Sequence, residues 1–170
     1  MTKKTYYIGG SILVLLLLLL DQYTKYLAII HLKEQESFVI IQDIFSLHYL
    51  ENIGAAFGLF KNQRTFFIIS TMIVVFLIAY FYIKMPKEKR YHPMMFSLLF
   101  VAAGALGNFI DRLRFGYVVD FFYFELIDFP IFNVADCYIV VALFVFSFLL
   151  LFYYKDEELA FFSLHNKTKE

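Results

Sequence analysis

Three carboxylates sit near the edges of apolar runs: Asp111 in Gly107-Asn108-Phe109-Ile110-Asp111-Arg112, Asp120 in Val118-Val119-Asp120-Phe121, and Asp136 in Phe132-Asn133-Val134-Ala135-Asp136. Ionisable groups at the boundary of a hydrocarbon layer are costly, which makes them functional candidates by default. Two carboxylates within about 3 Å cannot both ionise; they share one proton and titrate in two separated steps. Such a pair activates water as a base while protonating a substrate carbonyl and, later, a leaving amine. Peptide hydrolysis then needs neither a metal nor a covalent intermediate. The best pair is Asp120 with Asp136, one in a loop and one in the first turn of a helix, whose N-terminus favours a carboxylate.

A single acid at such an edge reads more simply as a helix cap or a solvated turn. Asp128, before Phe129-Pro130, is expected to be a turn residue, and Asp111 beside Arg112 reads equally as an ion pair closing its helix. That explanation weakens when Asn108, Asn133, Asp21 and Lys25 must all be accounted for at the same depth. Other chemistries lack their residues. The histidines at 31, 48, 92 and 165 show neither HExxH nor helical pairing, so no zinc site is expected. No G-x-S-x-G is present for a serine nucleophile. The one cysteine, Cys137, has no nearby histidine, excludes a cysteine-cluster metal site, and reads as a small buried helix residue. No metal or cofactor is called for. Gly54-Ala55-Ala56 after Asn52 offers little bulk, which suits close backbone approach to a substrate or another helix.

The elements that must position these groups are membrane spans. The chain has 170 residues, 61% hydrophobic, with mean hydropathy +0.68, where soluble domains carry roughly 45–50% apolar residues. The net charge of zero gives no electrostatic support for a nucleic-acid partner. A bilayer needs about 20 mostly apolar residues per helix, and four segments qualify: about 6–30, 65–83, 93–110 and 134–154. Lys3 and Lys4 before an apolar run imitate a secretory signal, yet Asp21-Gln22-Tyr23-Thr24-Lys25 follows where a small-residue cleavage site would stand. An uncleaved first helix is expected. Asp21 and Lys25, one turn apart, can pair or point into the bundle. The stretches Phe38–Ile41 and Ile44–Leu50 are rich in β-branched and aromatic residues and predict short strands at the interface. The expected fold is a single all-α integral membrane domain of four transmembrane helices with a small outward-facing β/loop subdomain.

Orientation follows from the basic residues of the short loops. Lys84–Pro93 holds Lys84, Lys87, Lys89 and Arg90, whereas 31–64 and 111–133 are acid-rich. Both termini are therefore expected in the cytoplasm, with 31–64 and 111–133 outside and 155–170 forming a cytoplasmic tail. On this topology Asp21, Lys25, Asn52, Asn108, Asp111, Arg112, Asn133 and Asp136 converge at the outer face.

Five stretches together carry a resemblance: Asp21-Gln22-Tyr23-Thr24-Lys25, Asn52-Ile53-Gly54-Ala55-Ala56-Phe57, Gly107-Asn108-x-x-Asp111-Arg112, Val118-Val119-Asp120-Phe121 and Phe132-Asn133-x-Ala135-Asp136. In this order the chain closely resembles the bacterial lipoprotein signal peptidases, signal peptidase II. The resemblance implies an aspartic endopeptidase of the bacterial plasma membrane that cuts prolipoproteins before a diacylglyceryl-modified cysteine. It implies Asp120 and Asp136 as the catalytic pair, the pair favoured above. It implies supporting or substrate-binding roles for Asp21, Lys25, Asn52, Gly54, Asn108, Asp111, Arg112 and Asn133. Prolipoproteins and membrane lipids are the implied partners. A complete set of motifs in one chain predicts a monomer. The alternative is a small proton- or ion-coupled transporter with Asp21, Lys25, Asp111 and Arg112 as a relay, which requires charge along the membrane depth. A structural membrane subunit is a third reading, and it would tolerate Asp120→Asn.

Overall fold

The structure, a computed structural model, describes residues 2–54 and 63–162. Four helices are long and apolar enough to cross a membrane: α1 (Lys3–Leu32), α2 (Arg64–Lys84), α3 (His92–Arg114) and α4 (Val134–Phe148), the last continued by a π turn at Leu149–Tyr153. Pro93 opens α3, where its missing N–H and fixed φ suit a first turn. Three strands, β1 (Phe38–Ile41), β2 (Phe45–Asn52) and β3 (Val118–Phe124), form an antiparallel sheet in the order β1-β2-β3.

The spans fall where hydropathy places them, with one instructive difference. α3 runs a full turn past Ile110, through Asp111 and Arg112 to Arg114. An apolar window stops at the first charge, but Asp111 is buried and bonded inside the bundle. The expected first two strands are present. β3 was not expected, although Val118-Val119-Asp120-Phe121-Phe122-Tyr123-Phe124 carries the same β-branched and aromatic signal. Asp128 is a turn residue, in the left-handed region at φ 46.

α3 is central and packs against each of the other helices, while the outward faces of α1, α2 and α4 expose Leu15, Phe76 and Phe144 to lipid. Lipid is as apolar as leucine, so helices in a bilayer associate through small residues that let backbones approach. Gly104 does this: a Cβ there would fall against the Ala135 carbonyl oxygen and Ile139 of α4. The sheet lies over one end of the bundle, where Val119 and Phe121 pack with Ala28 and Leu32 of α1. At the other end Met85, Tyr91, Met94 and Tyr154 form a second core. The described part of the tail, residues 155–162, packs at this end. Arg90 binds Glu158 at 2.9 Å and stacks on Tyr153, and Tyr91 Oη donates to the Glu158 carbonyl at 3.0 Å. Residues 156–162 are thereby pinned to the bundle, with Phe161 and Phe162 partly buried against its core.

Candidate active site

Asp120 and Asp136 line one cavity of about 600 Å³, together with Asn52, Asn108, Arg112 and an apolar wall that includes Val140 and Phe132. Asp120 arrives on β3, opposite Leu50 of β2. Asp136 occupies the third position of α4, where Asn133 caps the helix. The Asn133 side chain accepts from Asp136 N at 3.1 Å, and Asp136 Oδ2 accepts from Asn133 N at 3.1 Å. This reciprocal cap satisfies two orphan donors of the helix end and fixes the carboxylate.

All four carboxylate oxygens receive an N–H. Asn52 Nδ2 donates to Asp120 Oδ2 at 2.8 Å, and Asn133 Nδ2 to Asp120 Oδ1 at 2.6 Å. Asn108 Nδ2 donates to Asp136 Oδ1 at 2.8 Å, and the Asn133 backbone supplies the fourth bond. Each amide is held in this sense by a separate donor onto its own oxygen. Gly54 N donates to Asn52 Oδ1 at 2.9 Å, Asp136 N to Asn133 Oδ1, and Lys25 Nζ to Asn108 Oδ1 at 2.9 Å. An amide whose oxygen is engaged by a donor cannot flip without leaving that donor unpaired. The three asparagines therefore present N–H to the carboxylates by arrangement of their surroundings.

Lys25 also lies 3.0 Å from both Asp21 Oδ2 and Asp111 Oδ2, and all three side chains are buried. Asp21 Oδ1 accepts from Ala135 N at 3.0 Å, tying α1 to the start of α4. Asp111 Oδ2 accepts from Val119 N at 3.1 Å, tying α3 to β3. The cluster thus anchors both elements that carry the cavity's carboxylates. Asp111 pairs with Lys25, not with its neighbour Arg112. Arg112 instead donates to the Gly54 carbonyl at 2.9 Å and stacks on Phe67.

Burial, and secondarily the charge of Asp136, pushes the Asp120 carboxyl up to about 7 against the opposing amide donors of Asn52 and Asn133. A carboxyl in that range exchanges protons near neutral pH, as acid–base chemistry requires. Among the described residues no group of His, Cys, Asp and Glu is placed to hold a metal ion.

Of the ten residues singled out from the sequence, six line this cavity and three form the ion cluster behind it; the tenth, Asn133, is buried beneath the pair and bonded to both carboxylates. Of the Asn52–Phe57 stretch, Ala55, Ala56 and Phe57 lie outside the described residues. Cys137 is only partly buried and lines the cavity. Two residues carry more than their motifs indicated. Gln22 Nε2 donates to Asp111 Oδ1 at 2.9 Å and to the Gly107 carbonyl at 3.3 Å. Gly107 leaves room for Asp21, whose carboxylate a Cβ would strike. The signal for both was their place inside the motifs beside charged residues.

Comparison with known proteins places the chain in a family. Residues 13–152 match the family model described as signal peptidase (SPase) II. The chain is 43% identical over 142 residues to a lipoprotein signal peptidase of Caldanaerobacter subterraneus subsp. tengcongensis, covering 83% of this chain and 94% of that one. It is 41% identical over 142 residues to one from Staphylococcus aureus, covering 82% and 86%. A solved structure described as a bacterial membrane enzyme superposes with a TM-score of 0.76 at 38% identity, over 85% of this chain and 89% of that one. With its four spans, its order of motifs and a family match over most of its length, the chain belongs to the signal peptidase II family of membrane peptidases.

Proposed function

We propose that this peptidase is an aspartic endopeptidase that removes signal peptides from diacylglyceryl-modified prolipoproteins, cutting before the lipidated cysteine, with Asp120 and Asp136 as its catalytic pair. The observation that carries the reading is the pair itself: two carboxylates from different elements face one cavity, and every oxygen is held by an amide. The relatives named lipoprotein signal peptidase support the substrate class.

The pair shares one proton, and Asp120 is the member that keeps it. Water attacks the scissile carbonyl carbon while Asp136 takes a proton from that water and Asp120 gives its proton to the carbonyl oxygen. The resulting gem-diol collapses as one hydroxyl returns a proton to Asp120. Asp136 then gives its proton to the leaving nitrogen as the C–N bond breaks. The pair ends with the single proton it began with. Arg112, braced by the Gly54 carbonyl and Phe67, flanks the same cavity and orients the substrate backbone. The apolar wall accommodates the segment before the cut, and the acyl chains stay in lipid.

The same reading puts the enzyme in the bacterial plasma membrane as a monomer, and the basic 84–93 segment, at the end of the bundle opposite the carboxylates, supports cytoplasmic termini. Among the described residues, buried charged side chains are limited to Asp21, Lys25, Asp111 and Asp120, all at the carboxylate end. A transmembrane relay has no support from that distribution. The test is cleavage of a purified precursor with and without its diacylglyceryl group. Cleavage of the lipidated form alone is expected; equal cleavage of both, or of neither, overturns the substrate assignment.

A further inference from the structure

At the end of the bundle away from the carboxylates, α1 and α2 splay apart while both pack on α3, and the gap between them is a groove of about 450 Å³. Its wall is almost wholly apolar and runs from Tyr7 to Leu18 on α1 and from Val75 to Ile83 on α2. Eleven helical steps from Tyr7 to Leu18 span about 16 Å, close to the length of an acyl chain. Ala79 is exposed on the floor of this groove.

The groove's mouth is cationic. Lys87 Nζ sits 5.4 Å from the Tyr7 ring and 4.7 Å from the Tyr82 ring, and both rings line the groove. Its hydrogen bonds go to the backbone carbonyls of Tyr82, Ile83 and Met85. Lys3 opens α1 one turn before Tyr7, on the same helix face, and burial, with a smaller contribution from the Lys3 charge, holds the Lys87 ammonium below the usual lysine range. No carboxylate forms an ion pair with Lys3 or Lys87 among the described residues. Two like charges thus stand at the Tyr7–Tyr82 end of a chain-length apolar groove, and among the described residues no carboxylate pairs with either.

We infer that this groove and the lysines at its mouth form a binding site for an anionic phospholipid, with one acyl chain between α1 and α2 and the phosphate against Lys3 and Lys87. The site is independent of the peptidase reading, since it shares no residue with the carboxylate cavity. A zwitterionic lipid fills the groove equally well but brings its own cation to the mouth, so the lysines select the anionic headgroup. Each basic residue near a membrane surface contributes about 1 kcal/mol toward anionic lipid, which corresponds to about fivefold in preference.

The chain contains no tryptophan, so Ala79→Trp in the full-length protein gives a single indole in the groove. Its fluorescence is measured in bilayers containing phosphatidylglycerol or phosphatidylcholine with brominated acyl chains. With two lysines at about fivefold each, quenching should report about a 25-fold preference for phosphatidylglycerol. Lys3→Gln with Lys87→Gln should bring the ratio to one, and each single change should lower it. A Phe144→Trp reporter on the lipid face of α4 should show no preference. Equal quenching by the two lipids at position 79, a preference that survives the double change, or the same preference at position 144 would overturn the proposal.

Discussion

Lys25→Met isolates what the buried ion cluster contributes. The ammonium lies 3.0 Å from Asp21 Oδ2 and 3.0 Å from Asp111 Oδ2, and it donates to Asn108 Oδ1 at 2.9 Å. Asp21 is 0% exposed and Asp111 1%, so removing the cation strands two carboxylates with no route to water. Breaking a buried pair by deleting one partner costs about 3–5 kcal/mol. In a chain of this size that lowers Tm by about 6–20 °C, measured by circular dichroism of the protein in micelles. Neutralising the partners as well, in Asp21→Asn/Lys25→Met/Asp111→Asn, removes the stranded charge and should restore most of the Tm. Activity should not return with it. Asn108 Oδ1 would keep only the 3.1 Å bond from Asn133 Nδ2 and lose the charged donor that helps turn its N–H toward Asp136, and one hydrogen bond of about 1–1.5 kcal/mol is about tenfold in kcat. The assay is cleavage of a lipidated precursor by the folded triple variant. A Lys25→Met protein as stable as wild type would refute the burial argument. A triple variant with full kcat would refute the role assigned to Lys25 in orienting Asn108.

Two further outcomes follow from the geometry. Asp120, pushed up to about 7 by burial and by Asp136, is protonated below that pH and ionised above it. The rate should therefore fall as pH rises through about 7; a flat profile of kcat/KM contradicts a shared proton. Gly107→Ala drives a Cβ into the Asp21 carboxylate and against Ala135. It should cost about 1–3 kcal/mol by overpacking, seen as a lower Tm together with reduced cleavage, whereas Gly9→Ala, which meets nothing within 4 Å, should leave both unchanged.

The four spans were legible because hydropathy over 18 or more residues is a one-dimensional property, and the strands 38–41 and 45–52 because β-branched and aromatic residues cluster there. The candidate pair was legible from the cost of an acid at a membrane edge. What periodicity could not show is pairing across the fold. Asp111 beside Arg112 reads as a local ion pair, yet its partner is Lys25, 86 positions earlier in the chain. β3 went unread as a strand because the acid in its middle drew attention as a site. The alternation that places Asp120 on the cavity and its neighbours Val119 and Phe121 in the core is the strand's own doing. The locks on Asn52 and Asn133 come from donors two and three residues on, but that on Asn108 comes from Lys25, 83 positions earlier, and is a property of three dimensions alone.

The most direct test of the whole account is cleavage of a diacylglyceryl-modified prolipoprotein in micelles by wild type, Asp120→Asn and Asp136→Asn, with each variant's fold checked by circular dichroism. Cleavage by wild type and its loss in both folded variants is the predicted result. A folded variant of either carboxylate that cleaves at near the wild-type rate would contradict the pair, and Asp111 would be the next acid to examine.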